Sequence, residues 1–153
     1  MLKVRDLMSP AVLTVAAEDS ATDTARGFAT AGISGAPVRD RSGALVGIVS
    51  QADLANVKLA GTRKHPTISD LMTPDVIGVY VDDSALAAAL EMSRHDIHRV
   101  VVWDADGSVV GLVSTLDVVK AIARGAVFDV EAPDAEAMPP RTSVVPGRRA
   151  GYR

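Results

Sequence analysis

The chain has 153 residues, 48% of them hydrophobic and 23% charged, which is enough apolar material to fold one domain or two small ones. Its formal charge of -3 and its lack of cysteine give no electrostatic footprint for duplex nucleic acid and exclude disulfides and thiolate-held metals. No stretch reaches the roughly 18 apolar residues of a membrane span, and the opening segment MLKVRDLMSP has no apolar signal core; we read the protein as cytoplasmic, without membrane or nucleic-acid partners.

In chain order, Asp6-Leu-Met-Ser-Pro10 leads into a short strand over residues 12–15. A helix follows over 21–31, rich in Ala and capped by Asp19 or Ser20. Strands at 37–38 and 45–49 flank the turn Asp40-Arg-Ser-Gly43, and Ser50, with Asp53 three residues on, opens a second helix. The order then begins again: Asp70-Leu-Met-Thr-Pro74, a strand over 76–81, a helix over 85–94 behind Asp83/Ser84, strands at 100–103 and 109–113 around Asp104-Ala-Asp-Gly107, and a helix opened by Ser114 and Asp117. Asp70 stands 64 residues after Asp6, and the same offset links Asp19 to Asp83, Gly43 to Gly107 and Asp53 to Asp117. An unbroken offset over so many positions makes the chain a tandem repeat of one β-α-β-β-α unit, with residues 1–63 as the first copy and 64–125 as the second. Residues 126–153 are rich in Pro, Gly and charge without periodicity and read as a disordered tail.

Each unit of about 60 residues is marginal alone, so the two are expected to pack as a pair. Leu54 with Val57, and Leu116 with Val119 and Ala123, lie at helical spacing on one side of the second helices. The Ser-x-x-Asp pairs have two readings. Ser as N-cap and Asp as N3 form a capping box, and the same groups suit a ligand with hydroxyls, since a carboxylate accepts strong hydrogen bonds at a helix end that favours anions. Ser20-x-x-Asp23 is an internal control: at the 64-residue offset Asp23 becomes Ala87, so that Asp is dispensable to the architecture, whereas Asp53 and Asp117 are kept.

Val4-x-Asp-Leu-Met-Ser-Pro10, Gly35-Ala-Pro-Val38 and Gly47-Ile-Val-Ser-x-x-Asp53, with their partners beginning at Ile68, Ile97 and Gly111, resemble the cystathionine β-synthase (CBS) domain pair, or Bateman module, over about residues 2–124. The resemblance implies a mixed α/β (α+β) fold of two units packed through their sheets about a pseudo-twofold axis. It also implies clefts there for adenosine-containing ligands such as AMP, ADP, ATP or S-adenosylmethionine, and association into a homodimer.

By the same resemblance, Asp117 holds ribose hydroxyls and Ser114 lies on ribose or phosphate. Arg99 and His98 are similar to a His-Arg segment that contacts phosphates in AMP-sensing regulatory subunits, and Ser34, Ala36, Pro37, Val12 and Thr14 line the base. Arg99 is the stronger phosphate candidate because a guanidinium is always charged and can bond in bidentate fashion. The other cleft would use Ser50 and Asp53 with Val76, Ile97 and Val101. It is the weaker one, because Ser34-Gly35 stands where the second repeat has His98-Arg99.

The chain has no Gly-rich phosphate loop, no nucleophile elbow and no triad, so we read it as non-catalytic and needing no cofactor. His95 and His98 lack an evident third ligand for a metal. The reading that emerges is a regulatory sensor of an adenine nucleotide acting through an unknown protein effector. The alternatives are a dimeric interaction module without a physiological nucleotide, or a binder of S-adenosylmethionine or NAD.

Overall fold

The computed structural model describes residues 1–10, 13–56, 61–128 and 142–143. These fall into two compact units that are not simply the two repeats cut at residue 63: residues 13–76 form one, and residues 1–10 join the chain from Ile77 onward to form the other. We call them the first-repeat and second-repeat units.

In the first-repeat unit, β2 (Val15–Ala16) runs parallel to β3 (Gly35–Arg39), with α2 (Ala21–Ala31) as the crossover. β3 then pairs antiparallel with β4 (Leu45–Ser50), giving the order β2-β3-β4. Strand β2 is shorter than the expected 12–15 and begins after Thr14. The hairpin turn is closed by Asp40, whose carboxylate accepts the amides of Ser42 and Ala44, and by Gly43 at φ 82°, a conformation that costs an L side chain energy. α2 starts at Ser20, whose hydroxyl accepts the Asp23 amide at 3.3 Å, and ends at Gly32 in the left-handed region. Helix α3 (Gln51–Ala55) follows directly on β4.

The second-repeat unit repeats this plan with β5 (Val76–Tyr80), α5 (Ala85–His95), β6 (Arg99–Trp103), β7 (Val109–Ser114) and α6 (Thr115–Ala123). Its sheet has the order β1-β7-β6-β5-β8, where β1 is Ser9–Pro10 and β8 is Thr142–Ser143. Beyond Phe128 the anticipated tail lies outside the described residues apart from β8.

One-turn helices missed by the periodicity argument precede each Met-Ser/Thr-Pro: α1 (Val4–Leu7) and α4 (Ile68–Leu71). Four residues are too few for an apolar stripe; their signal was Asp6 and Asp70, which accept the amides of Lys3 and Thr67 at 2.8 Å as capping-box residues. Each segment docks on the other repeat's elements. Ser9 and Pro10 pair with Leu112 and Gly111 on β7, and Lys3 bridges Ser84. Reciprocally, Thr73 pairs with Ile48 on β4, and Thr67 bridges Ser20.

The cores follow the same exchange. Val4 packs with Ile77, Val79, Val100, Val102 and Val113 in one, while Ile68 and Leu71 pack with Phe28, Ala36, Val38 and Val49 in the other. The helical spacing of Leu116, Val119 and Ala123 is present, but that side faces solvent, and α6 meets its core through Val118. Spacing identifies a stripe without saying what covers it.

Candidate functional site

The end of a strand, an N-cap and a helix start converge once in each unit. In the second-repeat unit Ser114 ends β7 and caps α6. Its amide donates to Asp117 Oδ2 at 2.8 Å, its hydroxyl donates to the same oxygen at 2.8 Å, and the Asp117 amide donates back to that hydroxyl at 3.2 Å. In the first-repeat unit the Ser50 amide donates to Asp53 Oδ2 at 2.8 Å and the Asp53 amide donates to Ser50 Oγ at 3.1 Å. Both pairs are therefore capping boxes.

Helices of this chain can also be capped without such a box. Ser84 caps α5 by accepting the Ala87 amide at 3.2 Å with no Asp at N3. Ser20 caps α2 although the Asp23 carboxylate pairs with Arg26 rather than returning to the Ser20 amide. Among the described residues, the bonds on the Asp117 carboxylate engage Oδ2, so Oδ1 keeps its lone pairs for another donor.

Strand register sets what lies beside each box. Arg99 is the antiparallel partner of Ser114, so a half-buried guanidinium side chain starts on the same sheet face as the capping hydroxyl. His98 precedes it, exposed, and its carbonyl accepts the Thr115 amide at 2.9 Å, tying the His-Arg segment to the first turn of α6. Thus Ser114, Asp117, Arg99 and His98 are brought together in one unit. In the other, Gly35 is the partner of Ser50, and Ser34 accepts the Gln51 amide at 3.0 Å through its carbonyl. The backbone is the same, and the imidazole and guanidinium side chains are replaced by a hydroxyl and a hydrogen. The residue that sequence reasoning missed here is Asp96, which turns the chain from α5 into His98 at φ 51°; the 64-residue offset equates it with Gly32, the signal that was available.

The remaining expected residues divide between the two units. Thr14 and Ser34 are exposed, and Pro37 is buried. The Ala36 side chain belongs to the first-repeat core, so it can offer a ligand only its backbone. Val12 lies outside the described residues. Val76 and Val101 are buried, and Ile97 packs against the second-repeat core.

His95 pairs with Glu91 at 3.5 Å on its own helix, while His98 lies beyond the Asp96 turn. Among the described residues no group of three or more His, Cys, Asp or Glu could hold a metal ion, and no helix is long and apolar enough to cross a membrane.

The family model for the CBS domain matches residues 4–60 and again 68–124. The chain is 32% identical over 122 residues to a homoserine O-acetyltransferase of Methanosphaerula palustris, covering 80% of this chain and 24% of that protein. It is 33% identical over 115 residues to an L-aspartate semialdehyde sulfurtransferase of Methanocaldococcus jannaschii, covering 75% of this chain and 22% of that one. The chain thus spans about a quarter of the length of these curated relatives. Among solved structures it is similar to CBSX2 in complex with AMP (TM-score 0.66, 28% identity, 81% of this chain and 98% of that one). It is also similar to the CBS domain pair of protein MJ0100 in complex with 5'-methylthioadenosine and S-adenosyl-L-methionine (TM-score 0.71, 29% identity, 82% and 99%).

Proposed function

Because this chain belongs to the CBS domain family and carries that domain twice in tandem, we propose that it is a non-catalytic regulatory module. In this reading it binds an adenine nucleotide of the AMP, ADP or ATP class, works as a homodimer and passes occupancy to a protein effector. The observation that carries the ligand class is the grouping of Arg99, Ser114 and Asp117 at the start of α6. In this reading Asp117 Oδ1 accepts from ribose hydroxyls, each such charge-assisted bond contributing about 1.5–3 kcal/mol. Arg99 and His98 supply donors for a phosphate, and the helix end adds a favourable field of about 0.3–1 kcal/mol. Ser34, Pro37, Thr14, Val12 and the Ala36 backbone are assigned to the base.

The likeness to the MJ0100 pair favours a second reading in which the ligand is S-adenosylmethionine or methylthioadenosine. The basic residues favour the nucleotide: S-adenosylmethionine offers Arg99 one carboxylate against the repulsion of its sulfonium, and methylthioadenosine carries no anionic group for it to hold. The weaker box, Ser50 with Asp53, beside Val76, Ile97 and Val101 in the assignment above, suits a ligand with less negative charge. Thermal denaturation with adenosine, AMP, ADP, ATP, NAD, methylthioadenosine and S-adenosylmethionine separates these readings. A ligand at 100 times its dissociation constant stabilises by about 2.7 kcal/mol. The proposal expects phosphorylated nucleosides to shift the transition and the sulfonium compound to shift it less. No shift with any of them would leave a protein-interaction module instead.

A further inference from the structure

We propose that Met8 and Met72 are reversible oxidation sites: conversion of either thioether to the sulfoxide by a peroxide releases the segment it anchors and slackens the strand that carries a Ser-Asp box. The chain has five methionines and no cysteine, so thioethers are its sulfur chemistry. Met8 and Met72 stand 64 residues apart, at the same place in the two repeats, and both are half-buried. Met8 packs against the core of the second-repeat unit and Met72 against that of the first. Each sulfur takes the space that a glycine leaves open: a Cβ on Gly111 would lie 2.7 Å from Met8 Sδ, and one on Gly47 2.7 Å from Met72 Sδ. Met1 is 83% exposed and Met92 3%, so the pair lies between them in accessibility to an oxidant.

The sulfur lone pair takes one oxygen from hydrogen peroxide. The S–O bond forms as the O–O bond breaks, the other oxygen leaves as water with both protons, and the two electrons lost by sulfur reduce the peroxide. A flexible apolar side chain thereby becomes a polar one. Kept in its seat, the new oxygen meets the Ser9 carbonyl oxygen, 2.9 Å from the Gly111 Cβ position, or that of Thr73, 2.7 Å from the Gly47 one. Both are acceptors, as the sulfoxide is, so the buried oxygen gains no partner from them. Turned outward, it takes the thioether off the core and leaves a void over the glycine. The ladders that depend on these seats are short. β1 is two residues long and pairs through Ser9 with Leu112 and through Pro10 with Gly111; Thr73 meets Ile48 in one bridge, with hydrogen bonds of 3.0 and 2.8 Å. Leu112 and Ile48 each stand two residues before the serine of a box, Ser114 or Ser50, so a loosened ladder reaches the box along its own strand. The consequence for ligand affinity rests on the nucleotide reading above; the oxidation and the release do not.

The test is a peroxide titration of the folded full chain, read by peptide mass spectrometry, amide hydrogen exchange and urea unfolding. We expect Met1, Met8 and Met72 each to gain one oxygen before Met92 gains any, and the urea midpoint to fall. Exchange should rise roughly tenfold or more across Gly111 and Leu112 and at Ile48, whose amide donates to Thr73. Methionine sulfoxide reductases of both epimer specificities, with a thiol reductant, should restore exchange and midpoint. The double variant Met8→Leu/Met72→Leu keeps apolar volume at both seats and should hold its midpoint through the same treatment; if that variant does not fold, reversal by the reductases in wild type makes the same comparison. Oxidation of Met8 and Met72 that waits for Met92, or that leaves exchange and midpoint unmoved, would overturn the proposal, as would an equal loss in the leucine variant. AMP affinity, by titration calorimetry, should fall as Met8 is oxidised, and an affinity that ignores a loosened β7 would sever the box from Met8. Failure of the nucleotide reading looks different: no adenosine compound binds even the reduced chain, while exchange and midpoint still decide whether the two methionines release their segments.

Discussion

Arg99 and Ser114 are register partners on neighbouring antiparallel strands, so the Arg99 side chain leaves the sheet on the same face as the helix-capping hydroxyl that donates to the Asp117 carboxylate. If Arg99 holds phosphate, Arg99→Ala lowers AMP and ATP affinity by about tenfold or more, the equivalent of one charge-assisted bond, and changes adenosine affinity little. Isothermal titration with the three ligands measures this. Equal losses for all three would remove Arg99 from the phosphate role.

Asp117→Asn keeps size and shape but halves the acceptors. Because Ser84 caps α5 with Ala87 at N3, the stability loss should stay near the lower part of the about 0.5–2 kcal/mol range for a cap. Nucleotide affinity should fall by about tenfold to a hundredfold. The matched change Asp53→Asn should cost similar stability and less AMP affinity. Denaturant unfolding set beside titration calorimetry separates the two effects, and parallel losses in both would mean that Asp117 is only a cap.

Asp70 is a pH-dependent element of the first-repeat unit. The Thr67 amide, and after it the Thr67 hydroxyl and Arg63, hold its carboxyl below the usual value of 3.8, against the opposing pull of burial. Arg63 lies 2.7 Å away. A group with a depressed folded pKa contributes stability above its unfolded pKa and loses it as pH falls through the folded value. Urea unfolding should therefore show a stability decline below about pH 4 that is smaller in Asp70→Asn. That variant should already be weaker at neutral pH, by about 1 kcal/mol.

Gly111 is required by a close approach. A Cβ there would lie 2.7 Å from Met8 Sδ and 2.9 Å from the Ser9 carbonyl oxygen. The thioether can swing away, but the carbonyl is held in the β1–β7 ladder. Gly111→Ala should destabilise by about 1–3 kcal/mol, and Met8→Ala added to it should not restore the loss. Gly47 faces Met72 and Thr73 in the same way, so Gly47→Ala should behave alike. Denaturant midpoints decide both.

Much of the fold was legible because one chain carried two copies of the pattern. The bounds of α2, both hairpin turns and both Ser-Asp boxes follow from residue identity at a constant offset. The partner of Met1–Pro10 was not legible, since β1 is two residues long and its pairing with Gly111 depends on which of two similar strands it meets. The outward direction of Leu116 and Val119 was hidden for another reason: an apolar row at helical spacing is equally the mark of a core face and of a contact face. At the site, the grouping of Ser114, Asp117, Arg99 and His98 was implied by the family resemblance alone; the β6–β7 register that brings the His-Arg segment to the start of α6 was not readable from the sequence. The inward direction of the Ala36 side chain follows from alternation along β3, which groups it with Val38.

The pairing of Ser9 and Pro10 with Gly111 and Leu112 has a consequence in time. Residues 13–76 are contiguous, whereas the other unit needs residues 1–10 together with the chain from Ile77 onward, which is made later. Until β7 emerges, Val4 has no core to enter and β1 has no ladder to join. The opening segment is held in reserve for about a hundred residues of synthesis, a wait whose loop-closure cost grows only slowly with length. Deleting residues 1–10 should therefore leave early, co-translational folding intact and remove the last step, detectable as hydrogen exchange that rises across β6 and β7 while β3 and β4 stay protected.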